Sequence, residues 1–292
     1  MAHQYGHKYG HKYGHKYVLI MRNPARKLTV AMGFASLLLG SAPLSANAQS
    51  YSVKDAAPST SALPFPSVDP QVVPFGVGEA AVYDVKFGSV RVGSAMTEVK
   101  NIEDVRGIPA WHTVFTLHAG TLFFKVNDVF ESWIDRNTFS SLRFYQTQEE
   151  GSNERRKRYE IYPDRGMYME MDKKPPRQHE GVKDPLDDGS FLFFIRTVPL
   201  EVGNIYESNR YFRPERNPVR VRVVRKESVT VPAGKFSCIV VQPVIRTEGI
   251  FSENGQAEVW LSDDPRHIVV QIKSRLSFGS INLYLKSYTA GA

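Results

Sequence analysis

The chain has 292 residues, with 37 Lys and Arg against 30 Asp and Glu, 18 Pro, 21 Gly and a single Cys. Its 42% hydrophobic content is enough for a packed core and excludes wholesale disorder. One Cys excludes a disulfide framework and any thiolate-cage zinc site. Six of the basic groups fall in residues 1–48, which hold no acid, so the remainder is nearly neutral at 31 basic against 30 acidic groups. The basic character therefore belongs to the leader, and the body gives no case for nucleic-acid binding.

Tyr5-Gly6-His7-Lys8 is repeated at 9–12 and 13–16. A His-rich tract of this kind can bind metal, but the plainer reading makes residues 1–20 an upstream extension, with translation starting at Met21. Arg22, Arg26 and Lys27 precede an apolar run from Leu28 to Leu39 and the small triplet Ala46-Asn47-Ala48. Residues 21–48 read as a secretory signal peptide cleaved after Ala48. Residue 49 is Gln rather than Cys, so the expected cleavage leaves no lipidated Cys. The apolar run is too short to span a membrane comfortably, and the mature chain carries no transmembrane span. Residues 49–74 are Pro-rich and read as a linker.

From Phe75 the texture changes to short runs rich in Val, Ile, Phe and Tyr, broken by Gly and Pro, and residues 75–290 read as one β-rich domain. Strands are expected at 82–87, 90–105, 110–118, 123–134, 141–148, 155–162 and 167–171. In the third, Trp111, Thr113, Phe115 and Leu117 share a face. Residues 172–183, with Pro175-Pro176, read as a charged loop. Phe191 to Val198 reads as the one helix, with Asp187 or Asp188 at its start. Strands resume at 205–212, 219–231, 236–245, 257–262, 268–275 and 281–288. Strand follows strand without helices between, which disfavours a parallel fold. The expectation is a mainly β chain, an antiparallel β-sandwich or an open (half) barrel with one short helix.

The chemistry-bearing residues are weakly organised. There is no G-x-S-x-G and no H-E-x-x-H. Cys238 reads as a buried small hydrophobe. His112 and His118 share a strand face but stand roughly 20 Å apart along it, too far for one ion. No metal site and no cofactor are expected. Asp184, Asp187 and Asp188 suit a helix start, and Asp263 and Asp264 suit a turn. Gly76-Val77-Gly78 lacks the strand-turn-helix context of a dinucleotide site. Arg210, Arg213, Arg216, Arg220, Arg222, Arg225 and Lys226 are close in sequence. Arg220 and Arg222 lie on the face opposite Val219, Val221 and Val223, with Glu207, Glu215 and Glu227 near enough to neutralise them.

Several segments carry a family resemblance. They are Phe75-Gly76-Val77-Gly78-Glu79 leading to Tyr83-Asp84-Val85, Val92-Gly93-Ser94-Ala95, Asp128 to Asp135 (DVFESWID) and Asp184 to Gly203 (DPLDDGSFLFFIRTVPLEVG). Val231 to Phe236 (VPAGKF), Glu258 to Asp264 (EVWLSDD) and Phe278-Gly279-Ser280 follow. In this order, over residues 75 to 288, the chain resembles the bacterial envelope family catalogued as domain of unknown function 3108. The resemblance implies a secreted β-rich domain and supplies no catalytic residues.

The functional expectation is a non-enzymatic periplasmic or outer-envelope protein that binds a lipid, another apolar or amphiphilic ligand, or an envelope protein partner. Phe191, Phe193 and Phe194 would form an opening, with Arg210, Arg213, Arg220 and Arg222 as its charged rim. The alternatives are a hydrolase of cell-wall or lipid bonds that brings together Asp187, Asp188, Asp263 and His267, and a structural envelope protein that pairs through sheet edges.

Overall fold

A computed structural model describes residues 61–70, 72–120, 125–151, 153–244, 256–276 and 279–292. The Tyr-Gly-His-Lys repeats, the leader with its cleavage point and the first part of the linker lie outside these residues. Fourteen strands form one continuous antiparallel sheet. They are β1 (Ala80–Phe87), β2 (Val90–Val105), β3 (Ile108–Gly120), β4 (Lys125–Asp135), β5 (Ser141–Glu150), β6 (Asn153–Tyr162), β7 (Met167–Glu170) and β8 (Arg177–Glu180). After a short helix α1 (Ser190–Phe194) come β9 (Ile205–Ser208), β10 (Val219–Val231), β11 (Gly234–Val244), β12 (Gln256–Ser262), β13 (Val269–Leu276) and β14 (Gly279–Thr289).

The sheet order is β8-β7-β6-β5-β4-β3-β2-β1-β14-β13-β12-β11-β10-β9. The chain meanders from β1 to one edge, crosses through α1 to the other edge, and meanders back until β14 lies against β1. The sheet is continuous through all fourteen strands and does not close between β8 and β9, as expected of an open barrel or a sandwich. Its inner face is the apolar side of each alternating strand: Ala81, Tyr83 and Val85 in β1, Val219, Val221 and Val223 in β10, and Leu283 and Leu285 in β14 are all buried. Every residue of α1 is buried, and the helix shares one apolar cluster with strands from both halves of the sheet. It is the filling of the barrel.

Three segments differ from expectation. The 172–183 loop contains β8, whose Arg177–Glu180 pairs with β7. The 205–212 strand stops at Ser208, because Tyr211 and Phe212 turn inward and Phe212 packs on Phe144, Tyr159 and Tyr168. The linker is docked in its last part: Leu63 bridges to Tyr206 at the β9 edge, Phe65 packs on Phe194 and Tyr206, and Phe75 sits among Trp111, Phe139 and Phe193. Its Phe and Val side chains bury apolar area that the Pro content concealed.

The sheet is built twice. β1–β6 and β9–β14 are each six-stranded meanders, occupying consecutive positions in the sheet. Glu131-Ser132-Trp133-Ile134 in β4 corresponds to Glu258-Val259-Trp260-Leu261 in β12. Each tryptophan is followed by a register shift against the next strand, between Trp133 and Ile134 and between Trp260 and Leu261, as a β-bulge produces. Each indole N–H donates to a glutamate two strands back, Trp133 to Glu103 at 2.7 Å and Trp260 to Glu227 at 2.5 Å. Each ring is covered by a cation on the following strand, Arg143 at 5.2 Å and Lys273 at 5.1 Å. The hairpin turns that follow contain the positive-φ residues Phe139 and His267.

One buried ion pair ties these parts together. Arg196, just beyond α1, donates from two nitrogens to the Glu79 carboxylate at 2.5 and 3.0 Å, and both side chains are 5% exposed. Removing one partner leaves a buried charge uncompensated, which costs about 3–5 kcal/mol. Arg196→Met is therefore expected to lower the stability read by urea denaturation by that amount. Arg196→Met combined with Glu79→Leu should recover most of the loss.

Candidate functional site

The three phenylalanines expected at an opening instead fill the interior. Phe191, Phe193 and Phe194 are buried. Phe193 packs edge-on against Phe75 at 5.1 Å, and Phe194 against Phe65 at 5.1 Å. The apolar run in which they stand is hydrophobic on all sides because the helix is surrounded by sheet.

The arginines do not converge on a rim. Arg210 lies over the Phe194 ring at 4.5 Å and donates to the Asp184 carbonyl at 2.7 Å; burial pulls its pKa down to about 10. Arg213 donates to Glu215 at 2.9 Å and Arg220 to Glu207 at 2.6 Å. Arg222 is exposed on the outer face, alternating with buried Val221 and Val223 as the sequence pattern implies. Farther along β10, Arg225 pairs with Glu227 and Glu258, and Lys226 with Asp263. This is a cationic strand face neutralised by neighbouring glutamates and one aspartate.

The acids and histidines of the hydrolase reading are held apart by separate partners. The Oδ1 of Asp187 accepts from Ser132 Oγ at 2.6 Å and from the Gly189 and Ser190 amides at 2.8 Å each. The Asp187 amide donates to Ser190 Oγ at 2.8 Å, which completes a reciprocal cap on α1. Asp188 accepts from the Tyr211 hydroxyl at 3.1 Å. Asp263 pairs with Lys226, and His267 bonds through Nδ1 to the Arg196 carbonyl at 2.8 Å. His112 and His118 point outward from β3 to different partners: His112 contacts Glu103 at 3.0 Å and Glu131 at 3.1 Å, and His118 contacts Asn127 at 3.1 Å. Burial raises the Cys238 thiol to about 12, which keeps it protonated and inert. No cluster of His, Cys, Asp and Glu among the described residues could hold a metal ion.

What remains is a cleft that sequence reasoning missed. It lies at the barrel end formed by the β2–β3 and β4–β5 turns, has a volume of about 550 Å³, and is crossed by the docked arm. Val73 and Phe75 of the arm, Ile102 of β2, and Pro109 and Trp111 of β3 form one apolar wall, and Gly76, Val77 and the C-terminal residue Ala292 line the cleft as well. Arg136 and Asn137 from the β4–β5 turn stand at its polar side. The Arg136 guanidinium lies over the Trp111 ring at 5.6 Å. Ile102 is 42% exposed, and Val72, next to the lining residue Val73, is 73% exposed; they are two of five large hydrophobic side chains exposed among the described residues. The volume falls within the roughly 300–1,000 Å³ of small-molecule sites. A smaller pocket of about 10 Å³ lies beside Glu79, Tyr83, Thr97 and Arg196.

Comparison with known proteins gives a family and a set of distant folds. The family described as "Protein of unknown function (DUF3108)" matches residues 82–286. No curated protein matches. Among solved structures, a β-barrel-like protein of domain of unknown function DUF1849 from Brucella abortus is 10% identical, with a TM-score of 0.48, over 75% of this chain and 99% of that one. A candidate exported protein of YmcC-like fold from Bacteroides fragilis is 11% identical, with a TM-score of 0.28, over 77% and 100%. A candidate lipoprotein from Parabacteroides distasonis is 9% identical, with a TM-score of 0.26, over 75% and 99%. No helix among the described residues of this chain is long and apolar enough to cross a membrane.

The capping carboxylate of α1 makes stability depend on pH. Burial raises Asp187 from 3.8 to about 6, so the folded state holds its proton more tightly than the unfolded chain does. The contribution is present below about pH 4 and is lost as pH rises through 6, amounting to about 3 kcal/mol. Asp187→Asn, which keeps an acceptor for the cap, is expected to remove this part of the slope in urea midpoints measured between pH 4 and 7.

Proposed function

This chain belongs to the DUF3108 family, and we propose that it is an exported, non-enzymatic binding protein for an apolar or amphiphilic component of the bacterial envelope. The leader at 21–48 supports export, and the descriptions of two of the solved structures, one as exported and one as a lipoprotein, agree with that setting. The observation that carries the binding role is the cleft of about 550 Å³ floored by Phe75 and Trp111, set beside an interior already filled by α1. A ligand therefore binds at the barrel end, where exposed Ile102 gains from being covered.

The other readings have less support. The four side chains a hydrolase would need are each engaged elsewhere. Pairing through sheet edges meets a β8 edge that is short and charged, Arg177-Gln178-His179-Glu180, and a β9 edge partly covered by Leu63; both are features that discourage edge pairing.

The test is fluorescence enhancement of the neutral apolar dye N-phenyl-1-naphthylamine on titration with the processed protein. Saturable enhancement is expected. Ile102→Asp, a surface change that leaves the core intact, should weaken binding about tenfold, the equivalent of about 1.5 kcal/mol for covering an isoleucine. Absence of saturable enhancement, or an unchanged Ile102→Asp variant, would overturn the assignment.

A further inference from the structure

We propose that His112 is a pH-sensitive latch across the outer face of β2, β3 and β4, fastened while its imidazole is protonated and released as the proton leaves. Its Nδ1 stands 3.0 Å from Glu103 Oε1 on β2, and its Nε2 stands 3.1 Å from Glu131 Oε1 on β4. The ring lies flat on Trp133, with centroids 4.3 Å apart and 8° between planes. The Trp133 indole donates to the other Glu103 oxygen at 2.7 Å. His112 is itself buried. A neutral imidazole has one N–H, so it donates to one of these carboxylates and turns a lone pair on the other. The protonated ring donates to both, and that is the arrangement this geometry satisfies. Trp111, the residue before His112, lines the cleft, so the latch stands next to the cleft wall.

The second half-sheet holds the same constellation with a cation that does not titrate. Glu227, Glu258 and Trp260 correspond to Glu103, Glu131 and Trp133, and Arg225 bridges the two glutamates at 3.1 and 2.7 Å. The residue opposite Trp260 on β11 is Val240, whereas the residue opposite Trp133 on β3 is His112. A guanidinium keeps its charge where an imidazolium gives up its proton. One half is thus fastened permanently and the other conditionally. The neighbouring charges are Lys100 near Glu131, Arg143 over the Trp133 ring, and Glu160, which accepts from Arg106, Arg143 and Tyr145. The Trp133 indole and then His112 hold Glu103 below the usual carboxylate range, and His112 holds Glu131 below it. Both glutamates are therefore ionised wherever an imidazole titrates. The stability supplied by the latch is present on the acid side of that titration and is lost as pH rises through it.

The experiment is a two-bond ¹H–¹⁵N NMR titration of the processed protein between about pH 5 and 9. Residues 49–292 contain four histidines, His112, His118, His179 and His267, and the upfield shift from stacking on an indole marks His112 among them. Both of its ring nitrogens are expected to be protonated at the acid end, with one proton lost on the way up. In urea unfolding, the ratio of the unfolding equilibrium constant of wild type to that of His112→Gln should rise about tenfold across the step. Glu131→Gln gives a neutral ring nitrogen an amide donor, so it should move the step to lower pH. The NMR titration and Glu131→Gln decide even if His112→Gln does not fold. A bare ring nitrogen at the acid end, no proton lost by the alkaline end, a flat ratio, or an unmoved step in Glu131→Gln would each overturn the latch.

Discussion

The fold depends on the buried contact between Arg196 and Glu79. The Arg196 guanidinium reaches the Glu79 carboxylate, the Pro74 carbonyl and the Arg266 carbonyl. Tyr288 donates to the same carboxylate at 2.8 Å. These groups belong to the segment after α1, the start of β1, the docked arm, the β12–β13 turn and β14. The segments are far apart in sequence, and the open barrel has no hydrogen-bonded closure between β8 and β9 to hold them. Two charges taken from water are costly unless their remaining donors and acceptors are met, and here five parts of the chain must be in place to meet them. The contact thus specifies the arrangement of helix, arm and first strand more sharply than apolar packing alone could.

The duplicated half-sheets explain why such a specifying contact is needed. Each six-stranded meander has an inner apolar face and an outward tryptophan fixed by a glutamate and a cation. In the first meander Asn101, His112, Trp133, Arg143 and Glu160 stand directly opposite one another across β2 to β6, with His112 stacked on Trp133 at 4.3 Å. Glu160 accepts from Arg143 and also from Arg106. Two such similar units have no strong preference for one mutual arrangement from strand pairing alone. The segment between them breaks the equivalence. It inserts β7, β8 and the interior helix, and the helix is held at its start by Asp187 and just beyond its end by Arg196.

Much of this was legible in the residues. Alternation located nearly every strand, because a half-buried antiparallel strand displays its two faces in sequence. The vertical order of Val219, Val221 and Val223 against Arg220 and Arg222 read correctly for that reason. The helix was visible as an apolar run before Pro199, but not its place, since an all-round apolar segment looks alike at a barrel mouth and inside it. Arg196, the one charge in Phe-Leu-Phe-Phe-Ile-Arg-Thr-Val-Pro-Leu, was the available sign of a buried partner. The duplication could have been found from Glu-Ser-Trp-Ile against Glu-Val-Trp-Leu. The docking of Phe65 and Phe75 was hidden because Pro-rich composition describes backbone freedom and is silent about what two aromatic side chains will cover. The cleft was out of reach of sequence altogether: Phe75, Ile102, Trp111 and Arg136 come from four separate segments.

The filled interior also changes what this architecture can do. A curved sheet with a hollow centre binds by enclosing its ligand, and its affinity follows the size of the cavity. Here the side chains of α1 occupy that space, so the barrel acts as a support that fixes loops and the arm at one end. The two halves then differ where their equivalent turns lie. In the second half the β12–β13 turn is closed by Arg196, with Arg266 paired to Asp264 at 2.7 Å. In the first half the β4–β5 turn is held by Asp135, which accepts from the Asn137 amide and the Thr138 hydroxyl at 2.8 Å each, and presents Arg136 over Trp111. Duplication supplied two similar ends, and the interior ion pair completed one of them. The other keeps its cation over an aromatic ring beside the surface cleft.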